Sequence, residues 1–141
     1  MKKLLLPIVL LSIATLLGCS ISMTEIEGSI QSTIDEFFND VNDFGKTDNS
    51  ELLNHYFTIN TSTKEDLITY LTTSEDESYN EQVNHEVDNV VVSKYKNWYR
   101  AQIEYKVISK ESNSILLTNS MNLYFEKINN QFKITAADYG G

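Results

Sequence analysis

Trp98-Tyr99-Arg100-Ala101-Gln102-Ile103-Glu104-Tyr105-Lys106-Val107-Ile108-Ser109 decides the fold. Tyr99, Ala101, Ile103, Tyr105 and Val107 fall on one side of an extended chain, and Arg100, Gln102, Glu104 and Lys106 on the other. Strict period-two alternation of this kind marks a strand with one buried and one wet face, which is the habit of an antiparallel sheet. The same rhythm flanks it. Val87 to Tyr95 reads as a preceding strand. Ile115 to Ile128 follows with Leu117, Met121, Leu123 and Phe125 inward, and a last strand carries Phe132, Ile134 and Ala136. Asn129-Asn130 supplies a two-residue turn, since asparagine tolerates the positive φ that tight hairpins require.

Upstream the period lengthens to that of a helix. Ile26, Ile30, Ile34, Phe37, Phe38, Val41 and Phe44 recur at three and four, Thr24 with Glu27 forms a capping-box pattern, and Gly45 suits the closing left-handed position. Ser50 heads a short helix with Leu52, Leu53, Tyr56 and Phe57, and Thr63 heads another with Leu67, Ile68, Tyr70 and Leu71. Residues 72–84 are polar and acidic and read as an exposed loop. The expected class is α+β: a long N-terminal helix and short helices packed on a curved four-stranded antiparallel meander, cone-like or cystatin-like.

The extreme N-terminus has a different character. Met1-Lys2-Lys3 precedes an apolar run from Leu4 to Leu17, broken by Pro7. A run this short falls below the roughly 20 residues of a membrane span and has the layout of an export signal. Leu16-Leu17-Gly18-Cys19 resembles the lipobox of bacterial lipoprotein precursors. That resemblance implies cleavage between Gly18 and Cys19 and attachment of diacylglycerol to Cys19. The cysteine is the chain's only one, and an odd thiol in an exported protein asks for such an explanation. The expected organisation is a leader at 1–18, a lipidated tether at 19–23 and one α+β domain at 24–141.

Charge divides the chain. The formal net charge is −9, and because Lys2 and Lys3 lie in the leader, the remainder is more acidic still. Sixteen of the 20 acids lie between Glu25 and Asp88, whereas from Asn89 onward seven bases outnumber four acids. A chain of this charge is expected to avoid both nucleic acid and anionic lipid headgroups. The acidic half is either a solvated helical surface or a face that receives a cationic partner.

The order of lipobox, long helix with Phe37-Phe38, short helices and a meander ending in Leu123-Tyr-Phe-Glu-Lys-Ile-Asn-Asn-Gln-Phe-Lys-Ile134 resembles small bacterial lipoproteins with a nuclear-transport-factor-like or cystatin-like domain. Phe132 stands where such families often carry Trp. The resemblance implies a helix wrapped by a bent sheet, often with a concave pocket, and no single activity.

Motifs for chemistry are sparse. Asp40, Asn42, Gly45, Asp48 and Glu51 match positions 1, 3, 6, 9 and 12 of an EF-hand loop, but Phe44 occupies position 5 and helical periodicity runs through the stretch. No metal or other cofactor is expected. His55 and His85 lie in no zinc-binding arrangement. Tyr56, Tyr99 and Tyr105 are candidate pocket tyrosines, yet no Asp falls inward on the strands, so general acid–base catalysis lacks an agent and no enzyme is expected. Trp98 and Tyr99 must point to opposite faces. With Arg100, Trp98 is a candidate interface anchor unless it packs at the sheet's edge. The leading expectation is a lipid-anchored, non-enzymatic interaction module on the extracytoplasmic face of the cell membrane, with an envelope-protein partner of cationic character. A small-ligand binder with a pocket between helix and sheet is the alternative.

Overall fold

The computed structural model describes residues 21–47, 49–59, 61–72 and 82–139. The order is helix α1 (Met23–Thr47), a 3-10 helix (Ser50–Tyr56), helix α2 (Thr63–Thr72), then strands β1 (Val83–Tyr95), β2 (Trp98–Ser109), β3 (Ile115–Ile128) and β4 (Gln131–Tyr139). The strands form one antiparallel sheet in the order β1-β2-β3-β4. The architecture is the expected α+β one, a long helix and two short ones on a four-stranded meander.

Boundaries moved where a local cap outcompeted the apparent one. Ser22 caps α1, its hydroxyl and carbonyl both accepting from the Glu25 amide, so the helix starts before Thr24. It continues two residues past Gly45 to Thr47. Asn49, and not Ser50, caps the 3-10 helix by accepting from the Glu51 amide at 3.1 Å. Short polar side chains at these positions satisfy the orphan amides of a first turn. β1 begins at Val83 and not at Val87, so the expected 72–84 loop is trimmed at its end. Its polar start is fastened from outside: the Asn42 side chain accepts from the His85 amide at 2.7 Å and donates to the His85 carbonyl at 2.9 Å.

Each strand pair contains one bulge. The extra residues are Asp88 in β1, Leu116 in β3 and Thr135 in β4. A bulge bends the strand and shifts its inside–outside parity by one. In β4 this reverses the expectation for Ala136. Ile134 is fully buried, Thr135 is the extra residue, and Ala137 and Tyr139, not Ala136, pack against the core. The Asn129-Asn130 turn has φ of 50° and 63°, as a type I′ hairpin demands.

The inner face of the sheet and the apolar stripe of α1 form one core. Ile30, Ile34, Phe37, Leu53, Leu67, Ile103, Leu123, Phe125 and Ile134 are all 0% exposed. The Phe37 ring meets Phe38, Tyr56 and Phe57 edge-on at centroid distances of 5.7, 5.4 and 5.8 Å. Phe57 forms a parallel bridge to Ile134, and the Thr58 amide donates to the Ile134 carbonyl at 3.0 Å. Thr61 and Thr63 hydroxyls donate to the Thr135 carbonyl. The β4 edge is therefore partly covered, whereas Val91 on β1 is 54% exposed.

His85 is buried among these apolar groups, with Phe38 and Tyr105 rings at 6.3 and 5.9 Å. Its Nδ1 has no hydrogen-bond partner among the described residues. Burial, and secondarily the charge of Lys110, push its pKa down from 6.5 to about 4. The unfolded chain protonates His85 on falling below the higher value, while the folded chain resists until the lower one. Its contribution to stability is thus complete above pH 6.5 and is lost as pH falls toward 4. The loss is of order 3 kcal/mol by the free energy of each pKa unit. Thermal midpoints measured across this window should fall with acidification. His85→Leu should flatten that part of the slope; an unchanged slope would assign acid sensitivity to other groups.

Candidate functional site

Two surfaces concentrate chemistry-bearing side chains, on opposite sides of the sheet. The first is the sheet's outer face, opposite the helices. β2 pairing sets Trp98 against Tyr95, and Arg100 between Ser93 of β1 and Tyr124 of β3. All of these share the outer face by parity. The Tyr124 ring lies 5.1 Å from Tyr95 and 6.4 Å from Trp98. Trp98 is half-buried by these neighbours, and Tyr95 is 38% exposed. Tyr99 turns inward onto Phe132, with centroids 5.6 Å apart and planes at 88°. Trp98 and Arg100 thus come together, as parity predicts. Tyr95 and Tyr124 complete the cluster, and only the strand register reveals them. Further along the same face Gln102, Glu104, Thr118 and Ser120 are exposed, and no described helix covers them.

The second surface is a groove of about 620 Å³ beside the end of α1, with Asp40, Asp43 and Glu51 on its walls and the exposed Leu52 at its edge. Tyr56 donates its hydroxyl to Asp40 Oδ2 at 2.6 Å. Burial, then the Asp40 bond and charge, hold the phenol protonated far above its ordinary range. A neutral tyrosine bound to a carboxylate ties the 3-10 helix to α1 and is poorly suited to give up its proton. Strand alternation carries no sign of this pair, since Asp40 lies on α1, 16 positions from Tyr56. The ring of His55 lies 3.9 Å from that of Tyr56.

Asp40 and Asn42 belong to a continuous helix, and Asn42 is committed to His85, so no EF-hand loop can start at Asp40. Asp48 lies outside the described residues. Among the described residues no group of three or more His, Cys, Asp or Glu is placed to hold a metal ion. His55 and His85 sit on separate elements and are not brought together. Tyr105 is core, its hydroxyl held protonated by burial and then by Tyr70. Gly18 and Cys19 lie outside the described residues, as does the acidic segment 73–81. No helix among the described residues is long and apolar enough to cross a membrane.

A long helix with short helices packed on one face of a bulged antiparallel meander defines an α+β protein of cystatin-like fold. A solved structure from Nostoc punctiforme, a protein of unknown function with a cystatin-like fold, superimposes with a TM-score of 0.61 at 12% identity. The match covers 84% of this chain and 91% of that one. At this identity the likeness is one of fold alone. No family model matches the chain, and no curated protein matches it.

Proposed function

We propose that the chain is a bacterial lipoprotein, exported by residues 1–18, cleaved before Cys19 and held by acyl chains on Cys19 at the extracytoplasmic face of the cell membrane. There it acts as a non-enzymatic module that binds an envelope protein. The observation that carries the binding reading is the contrast between a filled interior and an uncovered outer face. Phe37, Phe38, Tyr105 and Phe125 occupy the space between α1 and the sheet, each at 2% exposure or less. Such filling works against the alternative, a ligand pocket between helix and sheet. Exposed Tyr95 and half-buried Trp98, Arg100 and Tyr124 meanwhile lie on the opposite side, where no described helix covers them. Aromatic residues beside arginine are the residues on which interface energy concentrates. The exposed acids of α1, such as Asp35 and Glu36, suit a cationic partner and its rapid encounter.

Photocrosslinking with affinity capture from native membranes tests this. Wild type should capture a discrete partner. Trp98→Ala combined with Tyr124→Ala should weaken capture by a factor of ten or more, on the scale of about 1–2 kcal/mol per interface anchor. Charge reversal at Asp35 and Glu36 should slow association more than it alters the final yield. A partner profile indifferent to both changes would remove the case for either surface.

A further inference from the structure

We propose that the end of the domain at which the chain enters α1 rests on an anionic lipid surface, with Lys94, Lys96 and Lys127 among the headgroups. This rests on the lipoprotein reading and adds the orientation in which the tethered domain is held.

The topology brings three features to one end. Thr24, Gly28 and Gln31 of α1 border a groove with Val90 to Val92, while Asn42 binds His85, so α1 runs antiparallel to β1. The start of α1 therefore lies at the Tyr95 end of β1. The pairing of Tyr99 with Phe125 puts both hairpin turns, 96–97 and 129–130, at that same end. Lys94, Lys96 and Lys127 are all exposed there. Each ammonium lies over an aromatic ring: Lys94 over Tyr99 at 4.4 Å, Lys96 over Tyr95 at 5.4 Å and Lys127 over Phe132 at 5.8 Å. Exposed apolar side chains accompany them, with Ile21 at 44%, Met23 at 37% and Ile128 at 36%.

This combination is what a bilayer surface selects. Aromatic rings and lysines with long apolar stems settle at the headgroup layer, the stem inward and the ammonium among phosphates. Arg100 and Lys133 lie close behind. The acids near this end are Glu25 and Glu27 in the first turns of α1, and Glu126, which faces Lys133 across the β3–β4 pair. Bases outnumber acids here, whereas Asp35, Glu36, Asp40 and Asp43 lie farther along α1, toward the opposite end. The acids farther along α1 thus weigh against lipid contact at its other end. The tether selects the same side. Two positions separate Cys19 from Ile21, a reach of at most about 7 Å in extended chain, so a lipidated Cys19 holds this end against the bilayer.

Trp98 is the chain's single tryptophan and sits beside Tyr95 at this end, which makes it a built-in depth probe. The full lipidated chain is reconstituted into vesicles of phosphatidylcholine alone or mixed with phosphatidylglycerol, each containing brominated acyl chains. Trp98 fluorescence should be quenched on the anionic vesicles and much less on the neutral ones. Each lysine at an anionic surface biases the docked orientation about fivefold, roughly a hundredfold for the three. K94Q/K96Q/K127Q should abolish the difference while the chain stays attached and keeps its circular dichroism spectrum. Salt near 1 M, which shortens screening to about 3 Å, should do the same to the unaltered protein. Attachment with Trp98 unquenched on both vesicles, or quenched equally on both, overturns the orientation and leaves this end to a protein. Failure of the purified chain to attach at all overturns the lipoprotein reading and the proposal with it.

Discussion

Phe37→Ala should cost about 3–5 kcal/mol of folding free energy, the range for removing a buried phenylalanine and leaving its cavity. The ring is 0% exposed and meets three other rings edge-on. It is also where several elements meet. Phe38 belongs to α1, Tyr56 to the 3-10 helix, and Phe57 to the segment that bridges to Ile134 of β4. Losing the ring therefore loosens helix from helix and both from the sheet, so local collapse cannot refill the space cheaply. Against a total stability of about 5–15 kcal/mol for a small domain, this is about a fifth of the whole or more. The midpoint of thermal unfolding should fall by roughly 10–20 °C at about 4 °C per kcal/mol. Urea titration is the direct measurement, and Phe37→Leu should recover most of the loss because it keeps volume and apolarity. A deficit below about 1 kcal/mol, typical of an ordinary substitution, would refute this account of the core.

Cys19→Ala should shift the protein from almost wholly membrane-bound to almost wholly soluble. A single acyl chain of about fourteen carbons gives only marginal, reversible attachment, and two or more chains give stable anchoring. On the proposed lipoprotein reading, replacing Cys19 removes the sulfur that would carry the diacylglycerol. The variant's melting curve should match that of the wild type, because the core is built from residues between Ile26 and Ile134. Membrane fractionation with labelled palmitate reads both attachment and acylation. A processed Cys19→Ala chain that stays bound would sink the lipoprotein reading.

Legibility in the sequence tracks parity. From Tyr99 to Val107 the alternation is unbroken, and the structure reproduces it: Ala101, Ile103 and Tyr105 are buried and Gln102 and Glu104 exposed. The turn at Asn129-Asn130 was readable because it depends on two adjacent residues. The start of β1 was not, since Asn84, His85 and Glu86 look like loop and are drawn into the sheet by pairing with Lys106 to Ile108 and by Asn42. Nor was Ala136, because a bulge leaves no local mark beyond a break in rhythm, here at Thr135. The outer-face cluster was half readable. Trp98 and Arg100 share a face by counting twos, whereas Tyr124 joins them only once the β2–β3 register is known. The Asp40–Tyr56 pair depends on how a helix and a 3-10 helix fold back on each other, which no periodicity encodes.

The sheet closes by short steps. β1 to β2 and β3 to β4 each turn on two residues, and β2 to β3 on a few more, so the entropy lost in joining each neighbour is small. Joining α1 to β1 is different, since Asn42 and His85 are 43 positions apart. Phe57 and Ile134, 77 positions apart, close a longer loop still, so docking the helical half on the sheet carries a larger entropic cost than any hairpin turn. Asn42 stands at the first of these closures with both ends of its amide engaged. It is therefore a latch as well as a link, its two hydrogen bonds holding the end of α1 to the start of β1.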